Sequence, residues 1–125
     1  MANTMIGSAR TLALLAIFVV GAAAAAPTSD ASAEIDHLRE YLSGSGCEFE
    51  RNGKWHDAAS ARKHIDRKYR YLLDRDQITS AEQFIERAAS RSSTSGKGYR
   101  VRCGSGAPVE AARWLGQELT RHRGT

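Results

Sequence analysis

The sequence predicts a small α+β domain with one disulfide: a three-stranded antiparallel sheet, made of a hairpin and one further strand, packed with four helices in the order α-β-β-α-α-β-α. Three observations support this prediction. Apolar residues recur at three- and four-residue spacing in four segments, as in amphipathic helices. The dipeptide Asn52-Gly53 separates two short strand-like segments, which is a strong hairpin signal. Residues 99–103 alternate apolar and basic side chains, as in a half-buried strand.

Four helices follow from the spacings. The first spans about residues 31–43, and the second begins at Asp57 or Ser60. The third follows a capping box, Thr79–Glu82, and ends near residue 90, whereas the fourth has Pro108 in its first turn. Their predicted inner faces comprise Ala31, Ile35, Leu38 and Leu42; Ala58, Ala61, Ile65, Tyr69 and Leu72; Ala81, Phe84, Ile85 and Ala88; and Val109, Ala112, Leu115, Gly116 and Leu119.

Residues 47–57 are predicted to form the hairpin, with the turn at Asn52-Gly53. A two-residue loop places Phe49 opposite His56, whereas a three-residue loop with a glycine bulge places Phe49 opposite Trp55. The sequence does not decide between these registers. The third strand is expected to join the same antiparallel sheet, and the helices are expected to cover one of its faces.

The first 26 residues have the order of a secretory signal peptide. Arg10 supplies a positive charge, residues 12–20 form an apolar run, and small residues follow, as at a cleavage site. The run is too short for a membrane-spanning helix, which needs about 20 residues. We expect cleavage within about residues 23–26, no stable membrane anchor afterwards, and a single exported domain over residues 27–123. The alternative is an uncleaved helix that holds the domain at a membrane.

The charge of the chain is only mildly basic. Its 18 Lys and Arg and 14 Asp and Glu give a formal net charge of +4 at pH 7, and loss of Arg10 with the signal lowers this to +3. Nucleic-acid-binding domains carry a denser basic face, and export keeps the chain away from the chromosome. Both observations argue against a nucleic-acid partner.

The two cysteines, Cys47 and Cys103, are expected to form a disulfide that joins the third strand to the hairpin. Export places them in an oxidising compartment, and a domain of about 100 residues has little stability to spare. Closing the loop between them would stabilise the fold by on the order of 4 kcal/mol. The alternatives are two buried free thiols or a redox pair, although the chain lacks a Cys-x-x-Cys motif.

Several short blocks of sequence occur together across the chain. They are Phe49–Gly53, Ala61–His64 with Lys68, Ala81–Arg87, Ser92–Lys97 with Tyr99, and Arg102-Cys103 with Trp114-Leu115. With these blocks in this order, the chain resembles the YfeK-like family of small bacterial periplasmic proteins, a domain of unknown function. The resemblance implies a periplasmic location in a Gram-negative bacterium and supplies no activity.

The main candidate site is a basic segment with no acidic residue between Glu86 and Glu110. Its serine loop (residues 90–98) can point N–H groups and hydroxyls at one spot, where nearby cations favour an anion. A solvated, flexible connector is the alternative interpretation. The cations are Arg87, Arg91, Lys97, Arg100 and Arg102, and the predicted contact residues are Ser92, Ser93, Ser95, Gly96, Lys97, Tyr99, Arg100 and Arg102.

A second candidate patch lies on the flank of the second helix, where His64, Lys68 and Tyr71 share one ridge. A helix-edge histidine bonded to backbone is the alternative. The four histidines lack paired ligand spacing, so we expect no metal site. No motif indicates a cofactor or names a catalytic residue. Trp114 lies opposite the inner face of the fourth helix, and it either packs against the first helix or is exposed for a partner.

From these features we expect a non-enzymatic periplasmic binding module. Its partner would be an anionic envelope component, such as a phosphate, a peptide carboxylate or an acidic glycan, or another periplasmic protein. A small envelope hydrolase or transferase that uses the serine loop and His64 is an alternative. Against it, Asp66 points roughly 160° away from His64 on the helix, which does not suit a relay. A purely structural protein is the third interpretation.

Overall fold

Four helices and four strands lie along residues 29–123 of the computed structural model, which describes residues 7, 9, 11–19, 21 and 25–125. The α+β class and the helices agree with the prediction. In chain order the elements are α1 (Ser29–Ser43), β1 (Glu48–Arg51), β2 (Lys54–Asp57), α2 (Ala58–Leu73), α3 (Ala81–Ala88), β3 (Arg100–Arg102), β4 (Val109–Glu110) and α4 (Ala111–Arg123).

The predicted signal peptide forms neither helix nor strand where it is described, and the side chains of residues 11–19 are exposed. Arg10 and part of the predicted cleavage zone lie outside the described residues. Among the helices of the described ranges, none has the length and apolar character that a membrane crossing requires.

The sheet has four antiparallel strands in the order β2-β1-β3-β4, so the prediction of three strands was wrong. The additional strand is β4, in which Val109 pairs with Val101 of β3. Val109 does not lie on the inner face of the last helix, as predicted from the sequence, because α4 begins only at Ala111 and Val109 is 42% exposed. The fixed φ of Pro108 and the β-branched Val109 both suit extended backbone. A two-residue strand is too short to show a period-2 pattern.

The hairpin uses the two-residue loop, because Phe49 pairs with His56 across β1 and β2. Asn52 and Gly53 have φ angles of 51° and 82°, which are the two positive values that a type I′ turn requires. Because side chains alternate along a strand, Arg51 lies on the same face as Phe49 and His56. The turn therefore decides which basic residues of β2 face the helices.

Side-chain caps fix the starts of three helices. Each cap accepts a hydrogen bond from the backbone N–H three residues further on, and so satisfies a donor that the helix leaves free. As a result α1 begins two residues earlier than predicted, and Asp57 rather than Ser60 caps α2. The caps are Thr28, Asp57 and Ser80.

The core lies between the helices and one face of the sheet. Phe49 and Val101 supply the buried face of the sheet. The helices bury most of their predicted inner residues, and the largest fully buried side chains are Phe84, Ile35, Leu38, Leu42, Ile78, Leu115 and Val101. Trp114 packs against α1 as the first alternative predicted, with its ring centroid 4.5 Å from that of Tyr41.

A buried carboxylate lies among the helices. The side chain of Glu118 is 3% exposed and accepts hydrogen bonds from His37 Nε2 and Arg121 Nε, each at 2.8 Å. The hydrogen bond from Arg121, assisted by that from His37, lowers the pKa of Glu118 to about 2. Glu118 is not among the residues predicted for the inner face of the last helix, since a pattern of apolar residues does not identify a glutamate that is buried through pairing.

Cys47 and Cys103 form the predicted disulfide. It joins the residue before β1 to the residue after β3, which are 56 positions apart in the sequence. The third strand is thus tied covalently to the hairpin, as expected.

Candidate functional site

A cleft lined by basic and hydroxyl side chains lies where the hairpin turn, α2 and the serine loop meet. Its volume is about 590 Å³. Within the described part of the chain, three of its lining residues are permanent cations, two are histidines and none is a carboxylate. We call it the basic cleft, and it is lined by Arg51, Asn52, Lys54, His56, His64, Lys68, Ser92, Ser93, Thr94 and Tyr99.

Local structure brings the charged side chains of the cleft together. His64 and Lys68 are four residues apart on α2 and therefore share a ridge. Arg51 and His56 come from paired strands and lie on the inner face of the hairpin. Tyr99, just before β3, reaches the same point, since its hydroxyl lies 3.0 Å from His64 Nε2 and 3.1 Å from Lys68 Nζ.

The hydrogen bonds of His64 define its tautomer. Arg51 Nη1 donates to His64 Nδ1. Because a guanidinium has no acceptor, Nδ1 must carry the lone pair and the ring hydrogen must lie on Nε2. Nε2 therefore donates to the hydroxyl oxygen of Tyr99. His64 is a neutral link between a cation and a phenol.

The hydroxyl of Tyr99 accepts two hydrogen bonds, one from His64 and one from Lys68. A phenol oxygen has no further lone pair to offer, so its own O–H must donate to another group. The residues that the structure describes supply no acceptor for this O–H. The residue is 4% exposed and lines the cleft.

Burial and like charges act together on this cluster. Burial, followed by the positive charges of Arg51 and Lys68, lowers the pKa of His64 to about 4. Burial, with the charges of Arg91 and Arg51, also lowers the pKa of Lys68. Burial raises the pKa of Tyr99. A bound anion would relieve the repulsion between the cations.

The serine loop closes one side of the cleft and is organised by Ser92. This buried side chain accepts hydrogen bonds from the N–H groups of Thr94 and Ser95, each at 3.3 Å, and from the Asn52 amide at 3.2 Å. Ser95 Oγ in turn donates to Asn52 Oδ1 at 2.5 Å. The hydroxyls of Ser92 and Ser95 thus fasten the loop to the hairpin turn, and Ser93 lines the cleft.

Two predicted contact residues, Arg100 and Arg102, lie on the other side of the sheet. They flank the buried Val101, so they point away from the helices. Each is paired with a carboxylate of β1: Arg100 Nη2 lies 2.9 Å from Glu50 Oε2, and Arg102 Nη2 lies 3.1 Å from Glu48 Oε1. We call this surface the outer sheet face, and it comprises Glu48, Glu50, Trp55, Arg100 and Arg102.

Four further predicted site residues do not line the basic cleft: Ser95, Gly96, Lys97 and Tyr71. Gly96 and Lys97 are exposed on the serine loop, where Gly96 adopts a φ of 73°. Tyr71 is 57% exposed, and the guanidinium carbon of Arg75 lies 3.5 Å from its ring centroid. The structure therefore brings Ser92, Ser93 and Tyr99 of the first candidate site together with His64 and Lys68 of the second. The other predicted residues of both candidate sites lie outside the cleft.

The sequence analysis did not select Arg51, Lys54 or His56 as site residues. Arg51 shares a face with Phe49 because side chains alternate along β1, whereas Lys54 and His56 join that face only in the register of the two-residue loop. The sequence left the register open, so it also left open which basic side chains of β2 face the helices.

The cleft differs from the site of a serine hydrolase. A serine–histidine–carboxylate relay needs a nucleophilic hydroxyl on one ring nitrogen and a carboxylate on the other. The partners of His64 are Tyr99 and Arg51, and Asp66 accepts a hydrogen bond from Arg39 at 2.8 Å instead. In the described ranges, no three His, Cys, Asp or Glu side chains are grouped as metal ligands would be. The cleft offers hydrogen-bond donors.

Residues 29–123 match the model of a family of unknown function, DUF5329. The match runs from the first residue of α1 to the last residue of α4 and includes the whole basic cleft. Neither a curated protein nor a solved structure is matched by the chain.

Proposed function

Because the chain belongs to the DUF5329 family, whose function is unknown, we propose a function from the cleft itself: a non-enzymatic binding module that holds an anionic group. One observation supports the proposal above all. Arg51, Lys68 and Tyr99 present N–H and O–H donors to one space, and no carboxylate of the described residues lines it. Arg51 and Lys68 have donors beyond those used for His64 and Tyr99, and such donors bind carboxylates and phosphates strongly.

The proposal places the anion inside the basic cleft rather than along the third strand. Arg100 and Arg102 already have glutamate partners on the outer sheet face, so an anion would have to compete for them. The serine loop contributes the wall of the cleft through Ser93 and Thr94. The exposed Lys97 does not line the cleft and is left out of the contact set.

We also propose that the domain is exported and works in the periplasm on an anionic envelope component. The signal-like order of the first 26 residues supports export, and the disulfide suits an oxidising compartment. Mass spectrometry of the mature chain checks this part. We expect an N-terminus within about residues 24–27, and a mature chain that keeps Met1 would contradict it.

Calorimetric titration with inorganic phosphate and with acetate tests the cleft. We expect binding that weakens as salt is added, because salt screens the charges. The variant Arg51→Gln/Lys68→Gln should bind at least tenfold more weakly. The matched control, Arg100→Gln/Arg102→Gln, removes the same charge from the outer sheet face and should keep the affinity of the unmodified protein.

The two variants make the outcome unambiguous. A loss of affinity in the Arg100→Gln/Arg102→Gln control alone would move the anion contact to the third strand. Binding of neither phosphate nor acetate by the unmodified protein would overturn the anion-binding proposal.

A further inference from the structure

A second pocket, of about 330 Å³, adjoins the basic cleft along α2. Its permanent cations are Arg67 and Lys68 of α2 and Arg87 of α3. We call it the α2–α3 pocket, and no carboxylate of the described residues lines it. It therefore repeats the charge character of the cleft. The other side chains that line it are uncharged: the neutral His64, Tyr71, Leu72 and Ser93.

The α2–α3 pocket and the basic cleft are continuous. His64, Lys68 and Ser93 line both of them. Arg67 and Tyr71 lie three and seven residues after His64, so they belong to the same ridge of α2. From His64 to residue 72 the helix rises by about 12 Å. The two spaces thus form one groove, and a single phosphate or carboxylate reaches only part of its length.

The cations of this groove are free of acidic partners. The ion pairs of the described residues use other basic side chains. Arg67 and Arg87 are exposed, and Arg87 donates one hydrogen bond, at 2.6 Å, to the backbone oxygen of Gln77. A guanidinium has five N–H donors, so Arg87 keeps donors for a ligand. The permanent cations that line the groove are Arg51, Lys54, Arg67, Lys68 and Arg87.

Carboxylates of the described chain line the spaces next to the groove. Glu50 lines the cavity between the hairpin and α2, and Glu86 lines the depression beside Arg87 and Arg91. Glu50 already accepts hydrogen bonds from Arg100. The surface without carboxylates is thus limited to the basic cleft and the α2–α3 pocket, which are the two places where anionic groups fit.

We infer that the ligand is a polyvalent anion: a short chain that carries at least two linked phosphate or carboxylate groups. One group accepts hydrogen bonds from Arg51, Lys68 and Tyr99 in the basic cleft. Another accepts them from Arg67 and Arg87 in the α2–α3 pocket. The inference rests on the proposed function, because the first group occupies the same cleft. Linking the groups makes the second contact intramolecular, so the chain binds more tightly than either group alone.

Two series of ligands test the inference by calorimetry with the disulfide-bonded protein. One series is phosphate, pyrophosphate, tripolyphosphate and longer polyphosphates, and the other is galacturonic acid and its oligomers. We expect affinity to rise about tenfold or more from the single group to a chain that spans both spaces. The series with the larger gain identifies the anionic group as phosphate or carboxylate.

A charge-removing variant of the α2–α3 pocket gives an independent check. Arg67→Gln/Arg87→Gln should remove the gain from linked groups and keep the affinity for phosphate and galacturonic acid within about threefold, since screening weakens the influence of exposed charges. The matched control, Arg70→Gln/Arg113→Gln, removes the same charge from exposed positions that line neither space. This control should keep the gain.

Each result separates the inference from the proposed function. Binding of single groups without any gain from linked groups would overturn the polyvalent ligand and leave the anion site standing. An equal loss of the gain in both variants would also overturn it, because attraction to the overall charge would then explain the gain. Absence of binding by every anion would overturn both.

Discussion

Two groups of basic residues lie on opposite sides of the sheet and differ in their counter-charges. On the outer sheet face, Arg100 and Arg102 each bind a glutamate of the neighbouring strand. In the basic cleft, Arg51 and Lys68 face a neutral imidazole and a phenol, and no carboxylate of the described chain lines the space. A high density of positive charge in the sequence therefore does not show which charges are free to meet a ligand.

The two groups also differ in what they do for stability. Exposed ion pairs such as those of the outer sheet face contribute little, because water and salt screen them. The cleft holds like charges close together in partly buried positions, which opposes folding. A bound anion offsets that repulsion, so the ligand should stabilise the fold as it binds.

The largest expected effect comes from giving the cleft its own carboxylate. Arg51→Glu makes the cleft resemble the outer sheet face, because the negative charge pairs with Lys68. We expect phosphate or acetate affinity to fall about 100-fold, equivalent to about 2.7 kcal/mol, as measured by calorimetry. Affinity within threefold of the unmodified protein would show that Arg51 does not contact the anion.

The next effect is a pH dependence that originates in the cleft alone. The pKa of His64 is about 4 in the folded protein and about 6.5 in an unfolded chain. The unfolded chain therefore binds the proton more tightly than the folded protein does. The contribution of His64 to the free energy of unfolding is thus fully present above pH 6.5 and is lost as the pH falls towards 4. The groups around His64 that oppose its protonation are Arg51, Lys68, Arg67 and His56.

Urea denaturation at pH 7 and at pH 4.5 measures this dependence. We expect His64→Asn to remove on the order of 1–2 kcal/mol of the stability loss between these pH values. Saturating anion should reduce the loss in the unmodified protein as well. An identical pH slope in the variant and in the unmodified protein would contradict the buried, neutral state of His64.

A smaller effect on stability is expected when the negative charges of the outer sheet face are removed. Glu48→Gln/Glu50→Gln frees Arg100 and Arg102, but these pairs are partly exposed to solvent, which screens them. At pH 7 the urea midpoint of this variant should therefore differ little from that of the unmodified protein. The difference should be smaller than the part of the midpoint shift between pH 7 and pH 4.5 that His64→Asn removes. The cleft should keep its anion affinity, and a tenfold change in that affinity would show that the two surfaces are coupled.

The smallest effect is expected at the tip of the serine loop. Lys97→Gln removes an exposed cation that does not line the basic cleft. Anion affinity should stay within about twofold, since screening weakens the influence of exposed charges. A tenfold loss in calorimetry would return the contact surface to the loop, as the sequence alone suggested.

Most of the fold could be predicted because its signals are local. The inner faces of α1, α2 and α3 repeat at helical spacing, and Asn52-Gly53 marks the hairpin turn. The strand β4 could not be predicted in this way. Val109 and Glu110 are too few to show a period, and they form a strand only because Val101 and Arg100 lie opposite them.

The site could be predicted only in part because its contacts are distant in the sequence. His64, Lys68 and Tyr99 were each predicted as site residues, but in two separate candidate sites. Tyr99 contacts Lys68 and His64, which precede it by 31 and 35 positions in the sequence. Arg100 was predicted to lie in the site because no acidic residue occurs near it in the sequence, whereas its partner Glu50 lies 50 positions away. A local gap in acidic residues therefore could not show that Glu50 neutralises it.

The disulfide encloses all the residues of the basic cleft in one covalent ring. Every residue that lines the basic cleft lies between Cys47 and Cys103, so the binding residues belong to a closed ring, with α1 and α4 as arms outside it. A protease that cuts once in the exposed serine loop, for example after Lys97, would open this ring without releasing any fragment. After such a cut Tyr99 would lie on the C-terminal fragment and the other residues that line the cleft on the N-terminal fragment, and only reduction of the disulfide would break the last covalent link between them.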